Sequence, residues 1–289
     1  MATAQRPQHE NTDGWIGATL PRETCTLQGL AGVDVPVSVA RAGEGRRVVF
    51  LHGLIGLNEH WDDVVEQVKH RLACVLLQVP LLALRGDDCS IDGVTELTIR
   101  FLQEHVGEPV ILVGNSFGGH VALRVAIQRP DLVAGLVLAG SSGLIEQSIV
   151  SDVQIRPTRE WLRRKIAELF YDPDTHLRES DLDRAYTELS DRGGARAMVR
   201  LSRSARRNHL GDQIRNLEVP TQLIWGRNDI VTPPEAAEMF VRAIGDARIV
   251  WFDQCGHVPM IEKPGPFAQA LMGFADELNA RACAPSRTG

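Results

Sequence analysis

Cysteine is scarce and poorly placed for its usual structural roles. The five residues, Cys25, Cys74, Cys89, Cys255 and Cys283, are odd in number and never spaced Cys-x-x-Cys. That pattern argues against a disulfide framework and against a zinc cage, so reduced thiols are expected. Long apolar runs are missing too. The longest, Leu72 to Leu84, is broken by Gln78 and Pro80 and falls short of the roughly 20 residues a spanning helix needs, so no membrane span is expected. Positive charge is not in excess either. The 31 basic residues face 37 acidic ones, a net charge of −6, which leaves a nucleic-acid partner without an electrostatic footprint. Neither GxxxxGK nor GxGxxG occurs, so no loop is built to cradle nucleotide phosphates. No cofactor and no metal are expected. The stretch from Met1 to Trp15 is polar, with no basic segment leading into an apolar core. No secretory signal is read there, and a cytoplasmic location is expected.

Hydrophobic residues make up 44% of the 289 and charged residues 24%, enough apolar surface to offset chain entropy in one large domain or two small ones. Residues 1 to about 20 carry no hydrophobic period and are expected to form a loose arm. Beyond them, short β-branched runs alternate with longer amphipathic ones. A hairpin-like pair around 24 to 40 precedes strand candidates at Val48 to Leu51, Ala73 to Val79, Val110 to Val113 and Leu132 to Leu138. The segments 58 to 70, 92 to 106 and 117 to 128 read as helices. Strands apolar on both faces belong inside a parallel sheet covered by helices, so an α/β fold follows. From about 144 to 216 the period is helical, with no convincing strand, and an inserted helical cap is expected there. Thr221 to Trp225 and Arg248 to Phe252 then resume the alternation. A helix begins between them near Pro233-Pro234, and a last one runs from Pro264 to about Arg281. The expected organisation is an arm over 1–20, a core assembled from 21–143 and 217–289, and a cap over 144–216.

The sequence Val113-Gly114-Asn115-Ser116-Phe117-Gly118-Gly119 places a serine where a buried strand meets a helix, inside a GxSxG pattern. Glycines on either side let strand and helix approach while the serine adopts strained dihedrals that push its hydroxyl outward. The Phe117 N–H then lies at a helix N-terminus, where it can stabilise an anion. A serine hydroxyl is not ionised near neutral pH, so it needs a base, and the base needs an orienting acid. His257 follows a strand candidate on a glycine-containing loop and is the expected base. Asp229 follows another, and chain position favours it as the acid over Asp253. Ser116, Asp229 and His257 thus come from three strand ends, which in an open parallel sheet share the ligand-binding edge. The turn His52-Gly53-Leu54-Ile55-Gly56 follows the first long strand, and the Leu54 N–H is expected to join that of Phe117 around an oxyanion. His52 reads as a turn stabiliser and Cys255 as a buried thiol. Asn115, Trp161, Val231 and Val258 are expected to line the substrate pocket. The segment 144 to 216 holds 14 basic and 12 acidic residues, a balance expected of a solvated helical surface.

Together, Leu51-His52-Gly53, Gly114-Asn115-Ser116-Phe117-Gly118-Gly119, Gly226-Arg227-Asn228-Asp229 and Gly256-His257 resemble the α/β-hydrolase superfamily over roughly residues 24 to 280. The resemblance implies a mostly parallel sheet flanked by helices, an inserted helical cap, and the chain order serine, acid, histidine. Asn115 before the serine and Gly118-Gly119 after it resemble the meta-cleavage-product hydrolases. The turn Leu54-Ile55-Gly56 and the Val258 after His257 differ from that subfamily. The expected activity is a cofactor-free serine hydrolase, a carboxylesterase acting on small to medium acyl esters through an acyl-enzyme. The alternatives are carbon–carbon bond hydrolysis, a perhydrolase or haloperoxidase-like activity, and a non-catalytic ligand receptor on the same fold. The expected partner is a small ester-like molecule.

Overall fold

The computed structural model describes residues 20–55, 58–145 and 157–283. Most of the expected arm and the residues around 146–156 lie outside the described residues. Eight strands form one sheet: β1 (Arg22–Gln28), β2 (Asp34–Ala42), β3 (Arg46–Leu51), β4 (Leu72–Gln78), β5 (Val110–Asn115), β6 (Val133–Ala139), β7 (Thr221–Gly226) and β8 (Ala247–Phe252). Their order is β1-β2-β4-β3-β5-β6-β7-β8. The pairs β1–β2 and β2–β4 are antiparallel, and every pair from β4 onward is parallel. The expected α/β sheet is therefore present, with its hairpin at one edge.

Alternation along the central strands assigns side chains to the two faces, as a period of two requires. Val49, Leu51, Leu112, Leu136 and Leu138 enter one buried apolar cluster. Val48, Phe50, Ile111, Val113 and Val137 enter another on the opposite face. Helices α2 (Ile91–Phe101), α3 (Phe117–Gln128) and α8 (Pro234–Ala243) cover the first face. Helices α1 (Asp62–Val68), α9 (Pro259–Glu262) and α10 (Pro264–Cys283) cover the second. Each fully buried aliphatic side chain contributes about 1.5–3 kcal/mol, so the buried strands β3, β5 and β6 anchor the loops at their C-terminal ends. The edge strands β1 and β8 are the least buried, since each has a neighbour on one side alone.

Between β6 and β7 lie α4 (Arg159–Ala167), α5 (Pro173–His176), α6 (Glu179–Ser190) and α7 (Arg192–Arg207). Thr158 and Asp191 cap α4 and α7 by accepting from Trp161 N–H and Gly194 N–H, which satisfies donors a helix start leaves unpaired. Trp161, Leu162, Ile166, Leu182, Leu189 and Met198 give this helical insert its own apolar cluster. Some of its outer charges pair with one another: Arg159 bridges Glu179 and Asp183 across exposed faces of α4 and α6. The two stems of the insert meet where Leu210 N–H donates to the Gly143 carbonyl at 3.0 Å. No helix among the described residues is long and apolar enough to cross a membrane.

Candidate active site

Ser116 occupies the junction of β5 and α3 with φ 53° and ψ −119°, a left-handed backbone that a side chain adopts only when its surroundings enforce it. Packing around the junction does so. A Cβ on Gly114 would stand 2.4 Å from the Gly118 carbonyl oxygen, and one on Gly118 would stand 2.6 Å from the carbonyl oxygens of Leu51 and His52. Only glycines fit, and strand and helix close to backbone contact. Below the serine, its carbonyl accepts from Ser142 N–H, and its N–H donates to Ala139 O, both at 3.1 Å. Phe117, buried, is the first residue of α3, so its N–H belongs to the unpaired first turn of a helix.

Asp229 and His257 come from the turns after β7 and β8. His257 Nδ1–H donates to Asp229 Oδ2 at 2.9 Å, and both side chains are almost wholly buried. The remaining acceptor directions of the carboxylate are also filled. Val231 N–H and Thr232 N–H donate to Oδ1 at 2.8 and 2.9 Å, and the Thr232 hydroxyl donates to Oδ2 at 2.7 Å. A buried charge needs such partners to stay ionised. Asp253, the competing acid, is exposed and pairs with Arg227 at 3.0 Å. The serine's neighbour reaches the same place: Asn115 Nδ2 donates to the carbonyls of Ala139 and His257 at 2.9 and 3.0 Å. The three strand-end turns are thereby tied to one edge of the sheet.

Leu54 sits half-buried in the turn after β3, packed between the core and the insert; Gly56 lies outside the described residues. A Cβ on Gly53 would stand 3.4 Å from Ser116 Cβ, so this turn passes directly over the serine. His52 Nδ1–H donates to Gly53 O at 2.8 Å, and burial lowers its pKa to about 4, which keeps the ring neutral as a turn strut. Beside the turn a cleft of about 280 Å³ opens between His52, Leu54 and Leu82 on the core side and Glu188 and Gly194 of the insert. Of the expected pocket residues, Trp161 belongs to the insert's apolar cluster. Val231 is buried in the Asp229 turn, Val258 is buried just before α9, and Asn115 is a buried strut. Burial pushes the Cys255 thiol well up, as befits an inert side chain.

Two participants escape a reading of the sequence. Thr232 carried a usable signal, since Asp followed by an N–H two and three residues on is a turn signature. Glu262, whose carboxylate accepts from Gly256 N–H beside His257 at 2.5 Å, carried none, because nothing local says that a carboxylate five residues past a histidine turns inward.

A mostly parallel sheet, a serine on a strained strand-to-helix turn, and a buried aspartate–histidine pair at the neighbouring strand ends define an α/β hydrolase. Residues 48–270 match the α/β hydrolase family; the chain belongs to that family and is a hydrolase. It is 26% identical over 264 residues to the pimeloyl-(acyl-carrier protein) methyl ester esterase of Nitrosomonas europaea, across 81% of this chain and 98% of the relative. It is 27% identical over 248 residues to the 2-hydroxy-6-oxo-6-(2'-aminophenyl)hexa-2,4-dienoic acid hydrolase of Metapseudomonas resinovorans, across 81% of this chain and 85% of the relative. The solved structure of an α/β hydrolase enzyme from the metagenome of lagoon sediments at Mar Chica, Morocco, has 30% sequence identity to it. That likeness has a TM-score of 0.68 and covers 84% of this chain and 96% of the other.

Proposed function

We propose that the protein is a serine esterase acting on small to medium acyl esters, with Ser116 as nucleophile, His257 as base and Asp229 as the acid that orients it. The observation that carries this reading is the buried 2.9 Å bond from His257 Nδ1–H to Asp229 Oδ2. It leaves Nε2 as the basic nitrogen and stabilises the imidazolium that forms when the serine proton is taken. Ser116 Oγ attacks the ester carbonyl, and the N–H groups of Leu54 and Phe117 hold the oxyanion, each such donor being worth about 3 kcal/mol of transition-state stabilisation. His257 returns the proton to the leaving alkoxide. A water, deprotonated by the same imidazole, then cleaves the acyl-enzyme and regenerates the serine.

The helices between β6 and β7 are the cap of this reading, roofing the turn that carries Leu54 and closing one side of the cleft beside it. Arg159 and Arg163 of α4 do not call for an anionic substrate, because both are engaged in surface ion pairs with Glu179. The likeness to the dienoic acid hydrolase supports a second reading, hydrolysis of a carbon–carbon bond by the same trio. Both readings expect Ser116→Ala to lose several orders of magnitude in turnover, since such a trio acts as a unit. The test is hydrolysis of a short p-nitrophenyl ester beside a dienoate. Faster turnover of the ester in the native chain, abolished by Ser116→Ala, supports the esterase reading. Faster turnover of the dienoate transfers it to the second, and unchanged turnover in the variant removes both.

A further inference from the structure

The seat of His257 is built by a carboxylate outside the trio. Glu262, the buried last residue of α9, accepts from Gly256 N–H at 2.5 Å through one oxygen. Through the other it accepts from Tyr171 N–H and Asp172 N–H at 2.8 and 3.2 Å. Those two donors belong to the segment joining α4 to α5 in the helical insert. The same segment lies on the histidine loop. His257 N–H donates to Leu169 O at 2.8 Å, and a Cβ on Gly256 would stand 2.7 Å from Leu169 O and 2.9 Å from Tyr171 N. A buried carboxylate is costly unless its acceptor directions are filled. Here N–H groups from two distant stretches of chain fill them, which holds those stretches in one fixed relation.

Resting on the hydrolytic reading above, we propose that Glu262 is a positioning residue for His257. It staples residues 169–172 of the insert to residues 255–257, so that the imidazole stays in register with Asp229 and Ser116. Seating of the insert is thereby coupled to the base. The carboxylate is required as such: a glutamine must turn its NH₂ toward backbone N–H groups on one side or the other, opening one arm of the staple.

The experiment compares the native chain with Glu262→Gln by amide hydrogen exchange, by the low-field proton resonance of His257 Nδ1–H, and by the rates of fluorophosphonate labelling and ester turnover. In the variant, exchange at Tyr171, Asp172 and Gly256 should accelerate and the His257 resonance should shift or broaden. Labelling rate and kcat should fall about 10- to 100-fold with KM little changed, the scale expected of a misplaced catalytic group. Faster exchange with an unaltered resonance and labelling rate would reduce Glu262 to a tie for the insert and overturn the proposal; unaltered exchange would overturn it as well. The resonance does not depend on turnover. A native chain that neither labels nor hydrolyses, with a His257 signal that still responds to Glu262→Gln, would sink the hydrolytic reading while the positioning role stands. Should Glu262→Gln fail to fold, Gly256→Ala carries the test, since its Cβ meets the backbone of the insert and lifts it without altering any carboxylate. The same fall is expected there, and undiminished kcat would contradict the proposal.

Discussion

Three aspartates of the chain, one in the site and two outside it, have different fates. Asp229 has every acceptor direction filled. Asp253 pairs with Arg227 in solvent. Asp62, at the start of α1, is buried with neither oxygen bonded, and burial, helped by the Glu59 carboxylate, pushes its pKa from 3.8 up to about 7. Near pH 3 the folded and unfolded chains both hold most of that proton, so the group costs little. As the pH rises toward 7 the unfolded chain releases the proton while the folded chain keeps it, and stability is lost through that window. Asp62→Asn removes the loss, with a gain over the native chain of on the order of 2 kcal/mol at about pH 8, discounted for solvent screening, and little gain at about pH 3. Urea unfolding at both pH values checks this; an equal gain at both would contradict it. The strand-end positions of Ser116, Asp229 and His257 were legible from sequence because each stands in a turn whose neighbours state its geometry. The seat of Glu262 beside the His257 loop was not legible, because only α9 turns its carboxylate inward.

The turn between β5 and α3 works because two backbones touch. With the Leu51 and His52 carbonyl oxygens 2.6 Å from any Cβ on Gly118, Gly118→Ala must push the turn after β3 away from the serine. A loss of about 2 kcal/mol or more is expected from such overpacking, together with a fall in turnover, because the Leu54 N–H rides on the displaced turn. Thermal unfolding and ester hydrolysis measure the two effects; native stability with full activity would count against the packing argument. Elements of this kind were readable in the sequence wherever length gave a period. β3 to β8 and α3 lie within a residue or two of their expected positions. The four-residue helices α5 and α9 and the 3-10 turns at Leu81–Ala83 and Gly86–Asp88 are too short to show one, and tertiary contacts decide them.

The sheet order places β5 at the middle, with β6, β7 and β8 beside it in sequence, so the turns carrying Ser116, Asp229 and His257 open on one edge without a long excursion. The parallel direction of these strands followed from their two-sided apolarity. The contact of residues 169–172 with the histidine loop did not, because pairing of distant backbone leaves no local pattern. In the proposed mechanism the three strand ends act as one proton-relay unit. Fluorophosphonate labelling with peptide mapping, on the native chain and on His257→Ala, separates such a unit from three independent side chains. A single adduct on Ser116 is expected in the native chain, with labelling slowed by about a thousandfold or more without the imidazole. An adduct on another residue, or a His257→Ala chain that labels as fast as the native one, would contradict the mechanism.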